Sequence, residues 1–298
     1  MTINKPVEIP ASRTRRFRVL SLGAGVQSTC VYLMVMAGEI PTIDCAVFAD
    51  TGDEPDEVYR HLDWLRGLGG PKIHIVKASE TSLGDSLLKG QNSTGQSFAS
   101  IPAFTAKDEG VKMGIVRRQC TSEYKLKPIE RFVRRDMIGG KAGAHVPKNT
   151  HVTQLIGISL DEVKRAHQVI ANNEHAWSSP EFPLLIAGMT RADCLAWMDA
   201  RGFPRPPRSA CVFCPYKRDR EWLALKIGDS KGWARAVQID EALRSPGVIV
   251  NRNLNQKLYL HDECRPLSEI DFEARIDAKT GDHVQLGFWS ECQGMCGN

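Results

Sequence analysis

The sequence has no long apolar stretch. Its longest apolar run, Cys30 to Ala37, is far shorter than the roughly 20 residues that a membrane-spanning helix needs. The first residues are polar and carry an arginine cluster where a secretory signal would have an apolar segment. We therefore expect a cytoplasmic protein without a membrane partner.

The sequence also lacks a strong net charge. A formal charge of +4 over 298 residues permits an anionic partner without requiring one. Basic residues do cluster locally, near the N-terminus, at Arg117-Arg118 and from Lys125 to Arg135. These clusters favour a phosphate-rich substrate modestly, since any single cluster is typical of a solvated surface.

Cysteines are frequent but do not suggest disulfide bonds. Nine cysteines in a chain without a secretory signal favour metal or redox chemistry. Cys30, Cys45 and Cys194 lie in apolar or helical patterns, so we expect them to be packing residues. The candidates for chemistry lie in loop-like surroundings; they are Cys120, Cys211, Cys214, Cys264, Cys292 and Cys296.

Strands and helices alternate through the first part of the chain. Strands are predicted near Arg18–Leu22, Cys45–Ala49, Ile73–Val76 and Thr153–Ile158, and helices near Ser28–Ala37, Pro55–Leu68, Ser122–Met137, Thr190–Arg201 and Glu221–Leu243. Because the predicted strands are unbroken apolar runs, they are typical of strands buried on both faces. The pattern predicts an α/β fold, an open parallel sheet with helices on both faces.

Three regions are predicted along the chain. Residues 1–16 form a flexible basic arm, residues 17–202 form the α/β domain, and residues 203–298 form a smaller cysteine-rich region. The last boundary is placed at the stiff segment that contains Pro204, Pro206 and Pro207.

The stretch from Gly23 to Ser28 joins the first strand to the first helix. Its glycines let backbone N–H groups approach a ligand closely, and a helix N-terminus favours a phosphate. Two further loops, Asp50–Gly52 and Gly157–Glu162, leave the carboxyl ends of strands, where ligands bind in open α/β sheets. Asp50 is a candidate to hold a ribose, an amine or a metal-bound water, or else to cap its own turn.

A close pair of thiols, Cys211 and Cys214, follows the proline-rich segment. In a cytoplasmic protein this spacing is typical of a metal site or a redox dithiol. Cys120 follows two arginines that favour its thiolate form. Three thiolates fit an iron–sulfur cluster, and they also fit zinc.

Four segments together resemble the PP-loop ATP pyrophosphatase superfamily, in its branch similar to phosphoadenosine phosphosulfate (PAPS) reductases and DNA-phosphorothioation sulfurtransferases. The segments are Gly23-Ala24-Gly25-Val26-Gln27-Ser28; Phe48-Ala49-Asp50-Thr51-Gly52; Gly157-Ile158-Ser159 with Asp161, Glu162 and Arg165; and Phe182-Pro183-Leu184 with Thr190 to Cys194 and Cys211-x-x-Cys214. They span about residues 18 to 220, and their order and spacing carry the resemblance.

The resemblance implies an adenine nucleotide and assigns roles to particular residues. Nucleotide contacts are assigned to Ser21, Gly23, Ala24, Gly25, Gln27, Ser28, Asp50, Thr51, Gly157 and Arg165, catalysis to Asp50, Cys120 and Cys292, and a [4Fe–4S] cluster to Cys120, Cys211 and Cys214. ATP and Mg²⁺ are the other implied cofactors, with zinc as the alternative metal. The implied partners are a tRNA or DNA acceptor and a sulfur donor protein.

Three positions depart from the family pattern, and the first is Gly23, where the loop usually has Ser. Gln27 stands where the loop usually has Asp, and Gln offers no carboxylate to magnesium. Thr121 follows Cys120, where adenosine phosphosulfate (APS) reductases have a second Cys. A fourth cluster ligand would then come from Cys264, Cys292 or Cys296.

Three functions remain open at this point. The first is ATP-dependent adenylation followed by sulfur transfer to a nucleic acid or nucleotide. The second is a sulfonucleotide reductase that uses Cys292 as its nucleophile, because Glu291-Cys292-Gln293-Gly294 is partly similar to a Glu-Cys-Gly tail. The third is a non-catalytic nucleotide- or nucleic-acid-binding module.

Overall fold

The computed structural model describes residues 15–95, 101–116, 119–173, 175–245 and 256–281. Within these ranges the strands are β1 (Arg15–Ser21), β2 (Cys45–Asp50), β3 (Ile73–Lys77), β4 (Phe104–Ala106), β5 (Lys112–Ile115), β6 (Thr150–Ile156), β7 (Ser178–Glu181) and β8 (Lys257–Tyr259). The α-helices are α1 (Val26–Met36), α2 (Asp56–Gly67), α3 (Leu83–Leu88), α4 (Lys127–Phe132), α5 (Val163–Ala171), α6 (Pro183–Ile186), α7 (Arg191–Asp199), α8 (Asp219–Gly228), α9 (Ser230–Ala242) and α10 (Phe272–Gly281). Among the described helices, all are too short or too polar to cross a bilayer.

The main sheet is parallel and has the strand order β3-β2-β1-β6-β7. This confirms the predicted α/β fold. The chain builds one half of the sheet outward from β1 and then returns to β6 on the other side of β1. Because Ser21 pairs with Ile156, the loops after β1 and β6 leave the sheet side by side. Such a reversal of strand order is where α/β sheets form ligand-binding crevices.

Burial explains why β2 could be found from the sequence and why the start of β1 could not. All six residues of β2 are buried, so the strand is a continuous apolar run. β1 begins at Arg15, earlier than predicted, because Arg15 and Arg16 are exposed and still pair with β6. The strand thus begins inside the stretch predicted to be an arm, whose residues 1–14 lie outside the described ranges.

Three of the five predicted helices are present as single helices, and the other two differ in form; α3, α5, α6 and α10 were not predicted. The segment predicted as helical from Ser122 to Met137 consists of α4 flanked by the π-helical turns Ser122–Leu126 and Val133–Met137. The single helix predicted over Glu221–Leu243 is instead split into α8 and α9. The break lies at Asp229, whose Oδ1 accepts a hydrogen bond from the Gly232 N–H at 2.8 Å and caps the start of α9.

The first core lies between the main sheet and the helices α1, α2 and α7. A second core joins the later elements to α3 and to the turn at Ser122–Leu126. Its buried residues come from both sides of the predicted boundary at residue 203, for example Leu83 and Tyr124 with Trp222 and Ile239. β4, β5 and β8 form a small antiparallel sheet beside it. These contacts attach the segment that follows the proline-rich stretch to the predicted nucleotide-binding sheet.

Asp53 ties this attachment to the loop after β2. Its carboxylate accepts hydrogen bonds from the Gly84 N–H at 2.7 Å and from Arg235 Nε at 2.9 Å. Its carbonyl oxygen accepts a bond from the Val212 N–H at 2.8 Å. The loop after β2, helix α3, helix α9 and the cysteine-containing segment therefore meet at one buried residue.

His61 on α2 packs against α1 in the first core. Its ring Nε2 lies 3.1 Å from Thr29 Oγ1, and both side chains are buried. Burial lowers the pKa of His61 to about 4, because the charged ring would lose its hydration. The neutral ring is therefore the form that the folded protein accommodates.

We expect acid to destabilise the fold through His61. The unfolded chain binds a proton at His61 near pH 6.5 and the folded chain only near pH 4, so stability falls as the pH is lowered between those values. The loss attributable to His61 should be at most about 3 kcal/mol. Urea unfolding of His61→Gln across this range should show a shallower pH dependence, whereas His167→Gln, at an exposed site on α5, should retain the wild-type slope. Equal slopes in the two variants would contradict this assignment.

Candidate functional site

A cavity of about 240 Å³ lies where the loops after β1 and β6 meet. Residues of the first loop and its flanks line it, namely Ser21, Leu22, Gly23, Gly25, Val26, Gln27 and Ser28. The strand β6 and the segment after it contribute Gln154, Ile156, Gly157, Asp161, Glu162 and Arg165. The remaining wall consists of Phe48, Ala49, Lys125, Leu126, Ile129, Arg191, Pro207, Arg208, Ser209, Arg218 and Glu221.

Most of the residues predicted to contact a nucleotide line this cavity. They are Ser21, Gly23, Gly25, Gln27, Ser28, Gly157 and Arg165. Ala24, Asp50 and Thr51 do not line it. Ala24 is fully buried in the first core, and the other two residues take part in contacts on the neighbouring loop.

The loop from Gly23 to Ser28 is held by its own hydrogen bonds. Ser28 Oγ accepts a bond from the Gly23 N–H at 3.1 Å and donates one to the Gly25 carbonyl at 3.3 Å. Ala24 has a φ of 56°, a left-handed conformation that is costly for a residue with a side chain. Gly25 is the N-cap of α1 and provides no side-chain cap, so the first turn of α1 presents backbone N–H donors at the cavity.

Gly157 allows the second loop to touch the first. A Cβ atom at this position would lie 2.7 Å from the Ser28 backbone nitrogen and 2.9 Å from the Gln27 carbonyl carbon. Both atoms belong to the backbone and have little freedom to move away. Glycine is therefore required at position 157 for the observed packing of the two loops.

Asp50 is a structural residue of its own loop in this arrangement. Its Oδ1 accepts hydrogen bonds from the Gly52 N–H and from the Tyr59 hydroxyl, both at 2.8 Å. Its Oδ2 lies 3.5 Å from Lys77 Nζ. Of the roles considered for Asp50, capping its own turn matches these contacts, and its catalytic and nucleotide-binding roles stay predictions.

Gln27 joins two charged residues on the cavity wall. Its amide Nε2 donates a hydrogen bond to Glu162 Oε2 at 3.0 Å, and its Oε1 accepts one from Arg191 Nη1 at 3.0 Å. Glu162 also lies 3.5 Å from Arg165 Nη1. Burial raises the pKa of Glu162, and the nearby Asp161 adds to this, while Arg165 and Arg191 oppose it.

The cavity wall carries more cationic than anionic side chains. The cationic ones are Lys125, Arg165, Arg191, Arg208 and Arg218, and the anionic ones are Asp161, Glu162 and Glu221. Sequence reasoning did not assign Lys125, Arg191, Arg208 or Arg218 to the site. Thr190 gave a weak signal for Arg191, because a capped helix start places the next residue at a helix N-terminus.

The predicted metal ligands lie beside the cavity and do not line it. Cys211 Sγ is 3.2 Å from Thr51 Oγ1, and the Cys214 N–H bonds the Cys211 carbonyl in a turn. Burial raises the pKa of Cys211, with further contributions from Glu54 and Cys120, while Lys125 and the Thr51 hydrogen bond oppose the rise. Cys120 and Cys211 pack against the same apolar cluster.

The other cysteines separate into distinct groups. Cys30, Cys45 and Cys194 are buried, which confirms that they are packing residues. Cys264 lies in a different small cluster with Phe104 and Tyr259, apart from Cys211. Cys292 and Cys296 lie outside the described residues.

The structure gives no support to a site for a single metal ion. In the described ranges, no group of three or more His, Cys, Asp or Glu side chains is arranged so that it could hold one. An iron–sulfur cluster holds its thiolates farther apart than a single ion does, and on Cys120, Cys211 and Cys214 it stays a prediction.

Comparison with solved structures finds distant likenesses in structure. No protein-family model matches the chain, and neither does any curated protein. A solved structure of phosphoadenylyl-sulfate (PAPS) reductase from Candida auris, in complex with phosphate, is 15% identical and has a TM-score of 0.40. The match covers 65% of this chain and 76% of that chain. A likeness this remote carries no argument about function.

The close approach at Gly157 gives a test of the site. Gly157→Ala should push the new methyl group against the loop backbone and weaken binding of ATP, the ligand that the sequence predicts, by about tenfold or more. It should also destabilise the fold by about 1–3 kcal/mol. Gly67→Ala is the matched control, because a Cβ there meets nothing within 4 Å, and it should bind ATP like the wild type. Isothermal titration calorimetry and thermal unfolding measure both effects, and unaltered binding in Gly157→Ala would contradict the assigned packing.

The iron–sulfur prediction is tested by metal analysis. Anaerobically purified protein should contain iron and acid-labile sulfide, and both should fall sharply in Cys211→Ala and Cys214→Ala, which each lose a thiolate ligand. Cys45→Ala removes a buried cysteine of β2 and should leave both contents unchanged. Zinc in place of iron, or equal iron in all variants, would overturn the cluster.

Proposed function

We propose that this protein is an enzyme that binds an adenine nucleotide in the cavity, with the phosphate groups at the loop from Gly23 to Ser28. The observation that supports this most is the cavity wall itself, which joins a glycine loop at a helix N-terminus to a surplus of cationic side chains. Backbone N–H groups and arginines are the usual partners of phosphate oxygens in proteins.

The cavity also has apolar lining residues suited to a nucleobase. Phe48, Leu126, Ile129 and Ile156 give it an apolar side, and Gln154 adds one amide that can bind a polar base edge. A nucleotide has the same division, since a flat base lies at one end and an anionic group at the other. This match supports a nucleotide more than it supports free phosphate.

The leading chemistry is ATP-dependent adenylation followed by sulfur transfer to a nucleic acid or nucleotide. An oxygen of the acceptor would attack the α-phosphorus of ATP, and the bond to the β-phosphate would break and release pyrophosphate. A sulfur nucleophile would then displace AMP. The loop N–H groups and nearby arginines would stabilise the charge on the leaving pyrophosphate. Cys211, whose Sγ lies 3.2 Å from Thr51 Oγ1, supports a role for sulfur.

A sulfonucleotide reductase is the second candidate. Gln27 favours it, because Gln27 is fully engaged by Glu162 and Arg191 and offers no carboxylate for the magnesium ion that usually accompanies ATP. In this reaction the Cys292 thiolate would attack the sulfate sulfur and release the nucleotide, and a reducing thiol would then release sulfite.

Substitution of Arg165 tests the proposed binding of a nucleotide. Arg165 lines the cavity beside Glu162, so Arg165→Gln should weaken binding of ATP and of PAPS by about tenfold, as expected for loss of a charge-assisted phosphate contact. Arg60→Gln, at an exposed position on α2, should bind like the wild type. Equal affinities of the two variants would contradict the proposed site.

Product analysis on the same protein separates the chemistries. Pyrophosphate release that requires an acceptor RNA or DNA supports sulfur transfer. Sulfite release from PAPS or APS that is lost in Cys292→Ser supports the reductase. Nucleotide binding without either product supports a non-catalytic binding module.

A further inference from the structure

Gln27 has a hydrogen-bonding pattern that only an amide can provide here. Its nitrogen donates to the Glu162 carboxylate at 3.0 Å and to Ser159 Oγ at 3.3 Å. Its oxygen accepts from the Arg191 guanidinium at 3.0 Å. A carboxylate at position 27 would accept from Arg191 but would face Glu162 as a second negative charge.

Glu162 is the central member of this group. Its side chain is only 2% exposed and is bonded by Gln27 through Oε2, while Oε1 faces Arg165 at 3.5 Å without a hydrogen-bond partner in the described chain. Arg165, Glu162, Gln27 and Arg191 thus form a row along the cavity wall with a guanidinium at each end. The row holds two cations at the place where an anionic ligand would lie.

The other carboxylates of the wall are engaged as well. Asp161 Oδ1 accepts a bond from the Arg191 N–H at 3.1 Å. Glu221 is bonded by the Arg208 guanidinium and by the Arg218 N–H. Each carboxylate on the described wall therefore already contacts an arginine residue, through the guanidinium at Glu162 and Glu221 and through the backbone N–H at Asp161. Magnesium prefers carboxylate and water oxygens, and an ion bound to Glu162 or Glu221 would lie close to a guanidinium.

We propose that the cavity binds the anionic group of its nucleotide directly through Arg165 and Arg191, without a magnesium ion at the loop, and that Gln27 determines this preference. The proposal rests on the proposed nucleotide-binding function. The Gln27 amide accepts a hydrogen bond from Arg191 without neutralising its charge, and it donates one to Glu162 without adding a second negative charge. The group formed by Arg165, Glu162, Gln27 and Arg191 then keeps a net positive charge for the ligand, since two guanidinium groups face one carboxylate.

The test compares the dissociation constant for ATP in excess EDTA with that in excess magnesium chloride. Wild-type protein should bind ATP in EDTA at least as tightly as in magnesium. Gln27→Glu should weaken binding in EDTA by about tenfold or more, because the new carboxylate neutralises Arg191 and faces Glu162. Magnesium should recover most of that loss, since two adjacent carboxylates attract the ion.

Gln154→Glu is the matched control for charge. Gln154 lines the same cavity from β6, so the variant adds one negative charge without entering the row formed by Gln27 and Glu162. Whatever affinity it loses with the Gln154 amide, magnesium should not recover it, because no second carboxylate lies in the row beside the new one. Arg191→Gln is an independent test. Its affinity for ATP in EDTA should fall about tenfold, and magnesium should not restore that affinity.

Two results would overturn the proposal. The first is that the wild-type protein binds ATP only when magnesium is present. The second is that Gln27→Glu and Gln154→Glu have the same affinity for ATP and the same dependence on magnesium. If no adenine nucleotide binds, inorganic pyrophosphate is titrated in the same two buffers. If the wild-type protein binds pyrophosphate in EDTA and the Arg191→Gln variant does not, the nucleotide function is overturned and the metal-free anion site is supported. Absence of pyrophosphate binding as well would overturn both.

Discussion

The contact between two loop backbones at Gly157 is the constraint on which the site depends. β1 and β6 are neighbours in the sheet, so the loops that follow them emerge together and must share a narrow space. The missing side chain at position 157 lets them touch, since a Cβ there would lie 2.7 Å from the Ser28 nitrogen. This contact brings the segment with Glu162 and Arg165 to the loop with Gln27. The cavity forms from that approach.

Much of the fold could be predicted because the main sheet is buried on both faces. Strands such as β2 are then uninterrupted apolar runs, and helices such as α1 are apolar on nearly every side. The same reasoning placed the loop from Gly23 to Ser28 and Gly157 at the carboxyl ends of parallel strands. It failed where local polarity hid the structure, as at Arg15, and where a capping side chain divided a helix, as at Asp229.

The rest of the site depends on contacts between residues far apart in the chain. Arg191 reaches Gln27 across 164 positions, and Arg208 enters the wall from the proline-rich segment. No local pattern encodes such pairs. The contacts of Asp50 could not be predicted either, since its position at a strand end gave no sign that Tyr59 and Gly52 would bond its carboxylate within its own loop. Position along a strand predicts nearness to a site, but it does not predict the direction of a side chain.

The cavity is lined by parts of the chain that are attached to each other through Asp53. The loop from Gly23 to Ser28 belongs to the main sheet, while Arg208, Ser209 and Arg218 belong to the segment packed beside it. A ligand that fills the cavity contacts both. Its binding free energy therefore adds to the interaction that keeps the two parts together. Ligand binding and the stability of the packed molecule are then thermodynamically linked.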